Sequence, residues 1–143
     1  MFIKILPSQV PMLWEHIKYA AVHADRLREG DVENYLNALL GDLLSDKAQC
    51  FVRMDGERLL LAVVITRFLS DGMTGDKSLL IQCLYSFKSV SDDEWITDMN
   101  TVEAFAIKRG CKKVLAYSNN QRVFELTSRL GFQERYRCFA KEV

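Results

Sequence analysis

The sequence predicts a single α/β domain built on a mixed, largely antiparallel sheet with helices on both faces. Three observations lead there. Apolar residues recur at helical spacing in four segments, and shorter alternating or continuous apolar runs lie between and around them. Three of those strand-like runs follow one another as a meander and lead into a strand–helix–strand crossover. With 143 residues, 49% of them hydrophobic, the chain has the size of one domain and can bury a core without cross-links.

Taken in order, Phe2 to Leu6 reads as a short strand ended by Pro7. Ser8 is placed to cap a helix over about Gln9 to Val22, whose stripe is Val10, Leu13, Trp14, Ile17, Ala20 and Ala21. Arg26 to Gly30 is a polar break. Asp31 then caps a second helix striped by Val32, Tyr35, Leu36, Leu39, Leu40, Leu43 and Leu44. From Ala48 the period becomes two, with Cys50, Val52 and Met54 facing one way and Gln49, Phe51 and Arg53 the other. Asp55-Gly56 signals a tight turn. The run from Arg58 to Phe68 has the continuous apolar character of a central strand buried on both faces. A loop over residues 70–77 leads to a strand from Leu79 to Phe87. A helix follows, striped by Trp95, Met99, Val102, Phe105 and Ala106 and closed by Gly110. Val114 to Tyr117 is a short strand, and Asn119 or Asn120 caps a last helix carrying Val123, Leu126 and Leu130 and ending at Gly131. Phe132 to Ala140 alternates as a closing strand.

The charge balance, 19 basic against 19 acidic side chains, creates no field for nucleic acid or an anionic membrane. No run reaches the length of a spanning helix and no signal peptide is visible, so the expectation is a cytoplasmic protein. Cys50, Cys83, Cys111 and Cys138 are widely spaced and read as free thiols. No ligand spacing for a metal is present. His16 and His23, two helical turns apart, cannot share one ion and read as surface histidines. Cys83 has no basic neighbour in sequence to activate it and reads as core.

The stretch from Ser78 to Gly110 organises the chain. A buried strand empties through Lys88-Ser89-Val90-Ser91 onto Asp92-Asp93-Glu94 at the start of a helix, where free backbone N–H groups gather. The element order resembles the GNAT superfamily of acyl-CoA N-acyltransferases, as does the segment Asn120 to Phe132 with its Leu126 and Leu130-Gly131-Phe132. The resemblance implies a GNAT-like sheet and acetyl-CoA or another acyl-CoA lying between the Leu79–Phe87 and Val114–Tyr117 strands. It further implies an amine acceptor on a small molecule or protein. Its cofactor positions fall on Phe87, Ser89, Ser91 and Asn120.

Two departures bear on function. The family's Gln/Arg-x-x-Gly-x-Gly/Ala diphosphate loop would fall on Val90 to Trp95, where neither glycine is present. Bulk at Asp93 and Trp95, and three carboxylates, would oppose a phosphate there. The plainer reading of the same residues is an N-cap with a first turn suited to the helix dipole, a well-capped helix end in place of the diphosphate site. The family's tyrosine on the last helix aligns with Thr127, which is too weak an acid to replace it, and Tyr117 or Tyr136 would have to reach the site. Glu33, Glu57 and Asp71 are candidate general bases, and Arg129, Arg135 and Arg137 read as a solvated face. Two functions stand side by side: an acyl-CoA-dependent N-acyltransferase, or an inactive protein of this fold, of phage or prophage type, that binds a protein partner or itself.

Overall fold

In the computed structural model, which describes residues 1–24, 29–56, 58–118 and 120–143, one five-stranded sheet runs in chain order. Its strands are β1 (Ile3–Lys4), β2 (Ala48–Met54), β3 (Leu60–Ser70), β4 (Lys77–Ser86) and β5 (Lys113–Ala116). The first four pair antiparallel, and β5 joins β4 in parallel after the crossover helix. Helices α1 (Val10–Ala24), α2 (Val32–Leu44), α3 (Asp92–Lys108) and α4 (Gln121–Arg129) complete the domain. No helix among the described residues is long and apolar enough to cross a membrane.

The period-two pattern decides which helices each side chain meets. Cys50 and Val52 of β2, with Val63 and Ile65 of β3, pack under α1 and α2 against Ile17, Ala20, Ala21, Leu39 and Leu43. Their neighbours Phe51, Ala62 and Val64 face the other way, onto Trp95, Met99, Val102 and Ala106 of α3 and Leu126 of α4. The sheet therefore has helices on both faces, as the sequence predicts. β3 is buried throughout its middle, Ala62 to Thr66.

Local chemistry sets the boundaries. Ser91 begins α3 with a capping box: its hydroxyl accepts the Glu94 N–H at 3.2 Å, and the Glu94 carboxylate accepts the Ser91 N–H at 2.9 Å. Gly110 and Gly131 end α3 and α4 at positive φ, 78° and 83°. Asn120 caps α4 through the Arg122 N–H at 2.9 Å, while Asn119 and the break at 25–28 lie outside the described residues.

Several expectations need correction. Ser8 does not cap α1; Pro7–Gln9 forms a 3-10 turn in which the Gln9 side chain accepts the Leu6 N–H at 2.7 Å. Asp31 occupies the N-cap position of α2 but makes no side-chain cap bond. The turn after β2 closes over five residues, Asp55 to Leu59, because the Asp55 carboxylate accepts the Leu59 N–H; the positive φ, 63°, falls on Arg58 and not on Gly56. No strand forms over residues 132–143, where Tyr136 and Phe139 are 68% and 90% exposed. Glu134 shares the phase of Phe132 and Tyr136 while Phe139 falls on the other, so neither face of that stretch is consistently apolar enough to fix a register.

One buried charge ties α3 to the sheet. Asp98 is wholly buried and accepts from Arg53 of β2 at 2.6 Å, while a second Arg53 nitrogen reaches Glu94 at 3.1 Å. The Met1 ammonium stands 3.2 Å from the other Asp98 oxygen, at a geometry that makes no hydrogen bond. Removing the guanidinium would leave a carboxylate buried beside the α3 core. Arg53→Met should therefore cost roughly 3–5 kcal/mol in urea unfolding. A loss below about 1 kcal/mol, the value of an exposed pair, would refute this role.

Candidate functional site

The site arises from one extra residue. Ile65 pairs with Cys83 but Thr66 pairs with Ile81, so Gln82 is a bulge in β4. Inserting one residue reverses the facing of everything after it. Leu79 and Ile81 point to the α3 side, whereas Cys83, Tyr85 and Phe87 point to the α1 side. Gln82 holds this irregular position with both ends of its amide, accepting from Arg67 Nε at 2.9 Å and donating to the Tyr35 hydroxyl at 2.9 Å. The bulge falls where β5 leaves: pairing ends at Ile81 with Ala116, although β4 continues to Ser86. The two strands thus form a split with Gln82 and Tyr117 at its vertex.

Beyond the split lies the loop at residues 87–91. Val90 anchors it in the α3-side core, and the Phe87 N–H is spent on Leu61 O at 2.8 Å. The N–H groups of Lys88, Ser89, Val90, Asp92 and Asp93 make no hydrogen bond among the described residues. Trp95 does not obstruct this loop. Its ring is 4% exposed and lies edge-on to Phe2 at 5.8 Å, inside the core.

The three acids at the start of α3 are matched by three arginines. Asp92 is held by Arg122 and, at 2.6 Å, by Arg129, which also reaches Asp93 at 3.2 Å. Glu94 receives Arg53. Arg129, half-exposed, is part of a surface clasp between α4 and α3, and Arg137 pairs with its exposed neighbour Glu134. The clasp holds the Asp92 carboxyl below the usual carboxylate range, through Arg122 first and then Arg129. The cap hydrogen bond from Ser91, ahead of the Arg53 charge, does the same for Glu94.

On the α1 side the reversed strand meets a helix face. Tyr85 and Phe87, two apart on β4 and just past it, lie against His16, Tyr19 and His23, three and four apart on α1. Tyr19 stacks on His23 at 3.8 Å, and Tyr85 meets Phe87 edge-on at 5.1 Å. His23 Nδ1 lies 2.8 Å from the Tyr19 carbonyl oxygen. A carbonyl only accepts, so Nδ1 carries the hydrogen and the neutral ring keeps its lone pair on Nε2. Burial, then the neighbouring Tyr19 phenol, push the Tyr85 hydroxyl up, so it stays protonated. Glu15, His16, Tyr19, Tyr85 and Phe87 line an open groove of about 360 Å³.

Of the cofactor positions expected from sequence, Phe87 turns its ring into this groove and Ser89 is exposed in the loop. Ser91 is engaged in the capping box, and the Asn120 carbonyl oxygen caps α4. Tyr117 stands at the vertex of the split, and the neighbouring Tyr136 phenol, then burial, push its own phenol up. Thr127 donates to the Phe124 carbonyl at 2.9 Å. Asp71 is spent on the Met73 and Thr74 N–H groups of the β3–β4 loop, at the opposite end of β4 from the split. Glu33 stands in the first turn of α2, and Glu57 lies outside the described residues. Cys50 and Cys83 are buried; Cys83 donates to Ala20 O, and burial pushes the Cys50 thiol to about 12. No cluster of metal ligands occurs among the described residues.

A carboxyl with a depressed folded pKa stabilises above its unfolded pKa, and that contribution is lost as pH falls through the lower folded value. The Tm difference between wild type and Asp92→Asn should therefore be constant from neutral pH to about 4 and close below it. It should also shrink with added salt. A difference that persists unchanged to roughly pH 2 would contradict the clasp.

No protein-family model matches the sequence, nor does any curated protein. Solved structures match it along nearly their whole length. A probable acetyltransferase aligns with all of this chain and 97% of its own, at a TM-score of 0.77 and 9% identity. A predicted acetyltransferase from Clostridium acetobutylicum, solved with acetyl-CoA, covers 99% of this chain and 95% of its own, at 0.77 and 11%. A GCN5-related N-acetyltransferase from Ralstonia eutropha covers 100% and 97%, at 0.75 and 13%. With its mixed five-stranded sheet and helices on both faces, the chain has the fold of the GNAT acetyltransferases.

Proposed function

We propose that the chain is an acyl-CoA-dependent N-acyltransferase acting on an amine. The observation that carries this reading is the split between β4 and β5. It opens at Ile81 and Ala116 beside a loop with free N–H groups, and the two side chains best suited to plug it, Trp95 and Phe87, pack elsewhere. A neighbour of the same fold was solved with acetyl-CoA, which supports the ligand class.

The residues present fit such a group. The β4 edge beyond Ile81 and the Asn120 amide would hold the pantetheine arm. Backbone N–H groups at Ser89 and Asp92 would meet the diphosphate, with the Ser89 and Ser91 hydroxyls beside them. Where glycines are missing, guanidinium charge from Arg122 and Arg129 would serve, released from Asp92. An acyl-CoA supplies a thioester carbonyl, whose C–S bond breaks as the C–N bond to the amine forms. The chain's own part is to orient the amine, accept the proton it sheds and return one to the departing sulfur. With Thr127 tied to the Phe124 carbonyl, the last task falls to Tyr117, whose phenol is kept protonated at the vertex of the split.

Titration calorimetry with acetyl-CoA should give micromolar binding, roughly −8 kcal/mol. Absence of heat up to about millimolar ligand would overturn the reading and leave an interaction protein with a protein partner or a second copy of itself. In an active preparation Tyr117→Phe should lower kcat on the order of 10²-fold with acetyl-CoA affinity unchanged. An unchanged kcat would remove Tyr117 from the proton path.

A further inference from the structure

The bulge in β4 lies in a strand whose burial pattern does little to fix its position. From Leu79 to Leu84 every residue except Gln82 is apolar, and the facing stretch of β3, Ala62 to Ile65, is apolar on both sides. Moving the extra residue along such a strand exchanges one apolar side chain for another, so burial pins the register weakly. The Gln82 amide distinguishes one position from its neighbours, because a half-buried amide that loses its partners is costly.

Those partners lead back to one helix. Gln82 donates to the Tyr35 hydroxyl at 2.9 Å and accepts from Arg67 Nε at 2.9 Å, and the same guanidinium reaches Asp42 at 2.7 Å. Tyr35 and Asp42 stand about two turns apart on α2, so this helix grips the bulge twice, once directly and once through β3. The Arg67 and Asp42 side chains are 31% and 25% exposed, so solvent screens their pair less than a surface one. The gripped residue is also the first of β4 without a partner in β5.

We propose that Tyr35 and Asp42 are positioning residues for the split. Acting through Gln82 and Arg67, they fix where β4 parts from β5, and they couple occupancy of the split to the docking of α2. This rests on the acyl-CoA reading of the split, and it makes α2 the element through which that site can be loosened or tightened. Coupling of this kind is reciprocal: a ligand in the split must favour the docked helix as much as the docked helix favours the ligand.

The test combines amide hydrogen exchange with acetyl-CoA calorimetry on the full chain. Tyr35→Phe, which removes one hydroxyl, and Gln82→Leu, which removes both contacts at similar bulk, should each speed exchange over residues 82–87 and weaken acetyl-CoA binding about fivefold. Gln82→Glu should stay within about twofold of wild type, since its carboxylate accepts from Arg67 and from the Tyr35 hydroxyl. Val102→Ala, a truncation in the α3 core away from the relay, reports the effect of lost stability alone. Saturating acetyl-CoA should slow exchange over residues 35–42 in wild type and less so in Tyr35→Phe. Should Gln82→Leu fail to fold, Tyr35→Phe carries the comparison. The proposal is overturned if neither variant changes exchange or affinity, if Gln82→Glu loses as much as Gln82→Leu, if Val102→Ala reproduces both losses, or if acetyl-CoA leaves α2 unchanged. A wild type that binds no acetyl-CoA removes the transferase reading, and exchange in the three relay variants then decides the grip of α2 on the bulge by itself.

Discussion

The arrangement of this protein's surface features depends on a single backbone irregularity, the extra residue at Gln82. A strand has a strict two-residue period, so one insertion reverses every later side chain relative to the sheet. Before the bulge, Leu79 and Ile81 serve the α3 core; after it, Cys83, Tyr85 and Phe87 serve the α1 face. The added local twist accompanies the end of pairing with β5. One inserted residue thus produces both the split and the aromatic groove, at the same end of the same strand. The Gln82 amide, held by Arg67 and Tyr35 from two other elements, fixes the insertion at this position.

The electrostatics follow a different logic. A chain of zero net charge concentrates opposite charges at one place, the start of α3. There the buried Asp98 needs Arg53, and the exposed acids Asp92 and Asp93 attract arginines from α4. The first of these pairs holds helix to sheet, because a carboxylate taken fully out of water must have a partner. The second is looser and exposed to salt, and it positions α4 relative to the loop more than it stabilises the domain.

Much of the fold was legible because periodicity and caps are local. Helix stripes, the Ser91–Glu94 capping box and the glycines at 110 and 131 all appear where short-range rules place them. What was not legible depended on partners distant in sequence. The bulge hid inside the apolar run of β4, and its only local sign was a polar Gln82 among Leu, Ile and Cys. Nothing in the spacing of His16 and His23 showed that Tyr85 and Phe87 would come up against them. Arg129 looked like one member of a basic surface cluster because its acidic partners lie more than thirty residues away. The closing strand over 132–140 failed for the opposite reason: alternation was present, but its phase broke at Glu134 and Phe139, and four-residue β5 offered little edge to build on.

The clasp at Asp92 also means that any anion reaching these arginines would compete with a carboxylate of the protein's own. Two guanidiniums that could receive a ligand's phosphates already hold a carboxylate at effectively intramolecular concentration. Any anion arriving there binds only the fraction of molecules in which the carboxylate has let go, so the apparent affinity is the intrinsic one scaled by that fraction. If the clasp is open about one time in a hundred, a nanomolar site behaves as one of roughly a tenth micromolar. Altering Asp92 alone would therefore change the apparent affinity of any such anion while leaving both guanidiniums in place.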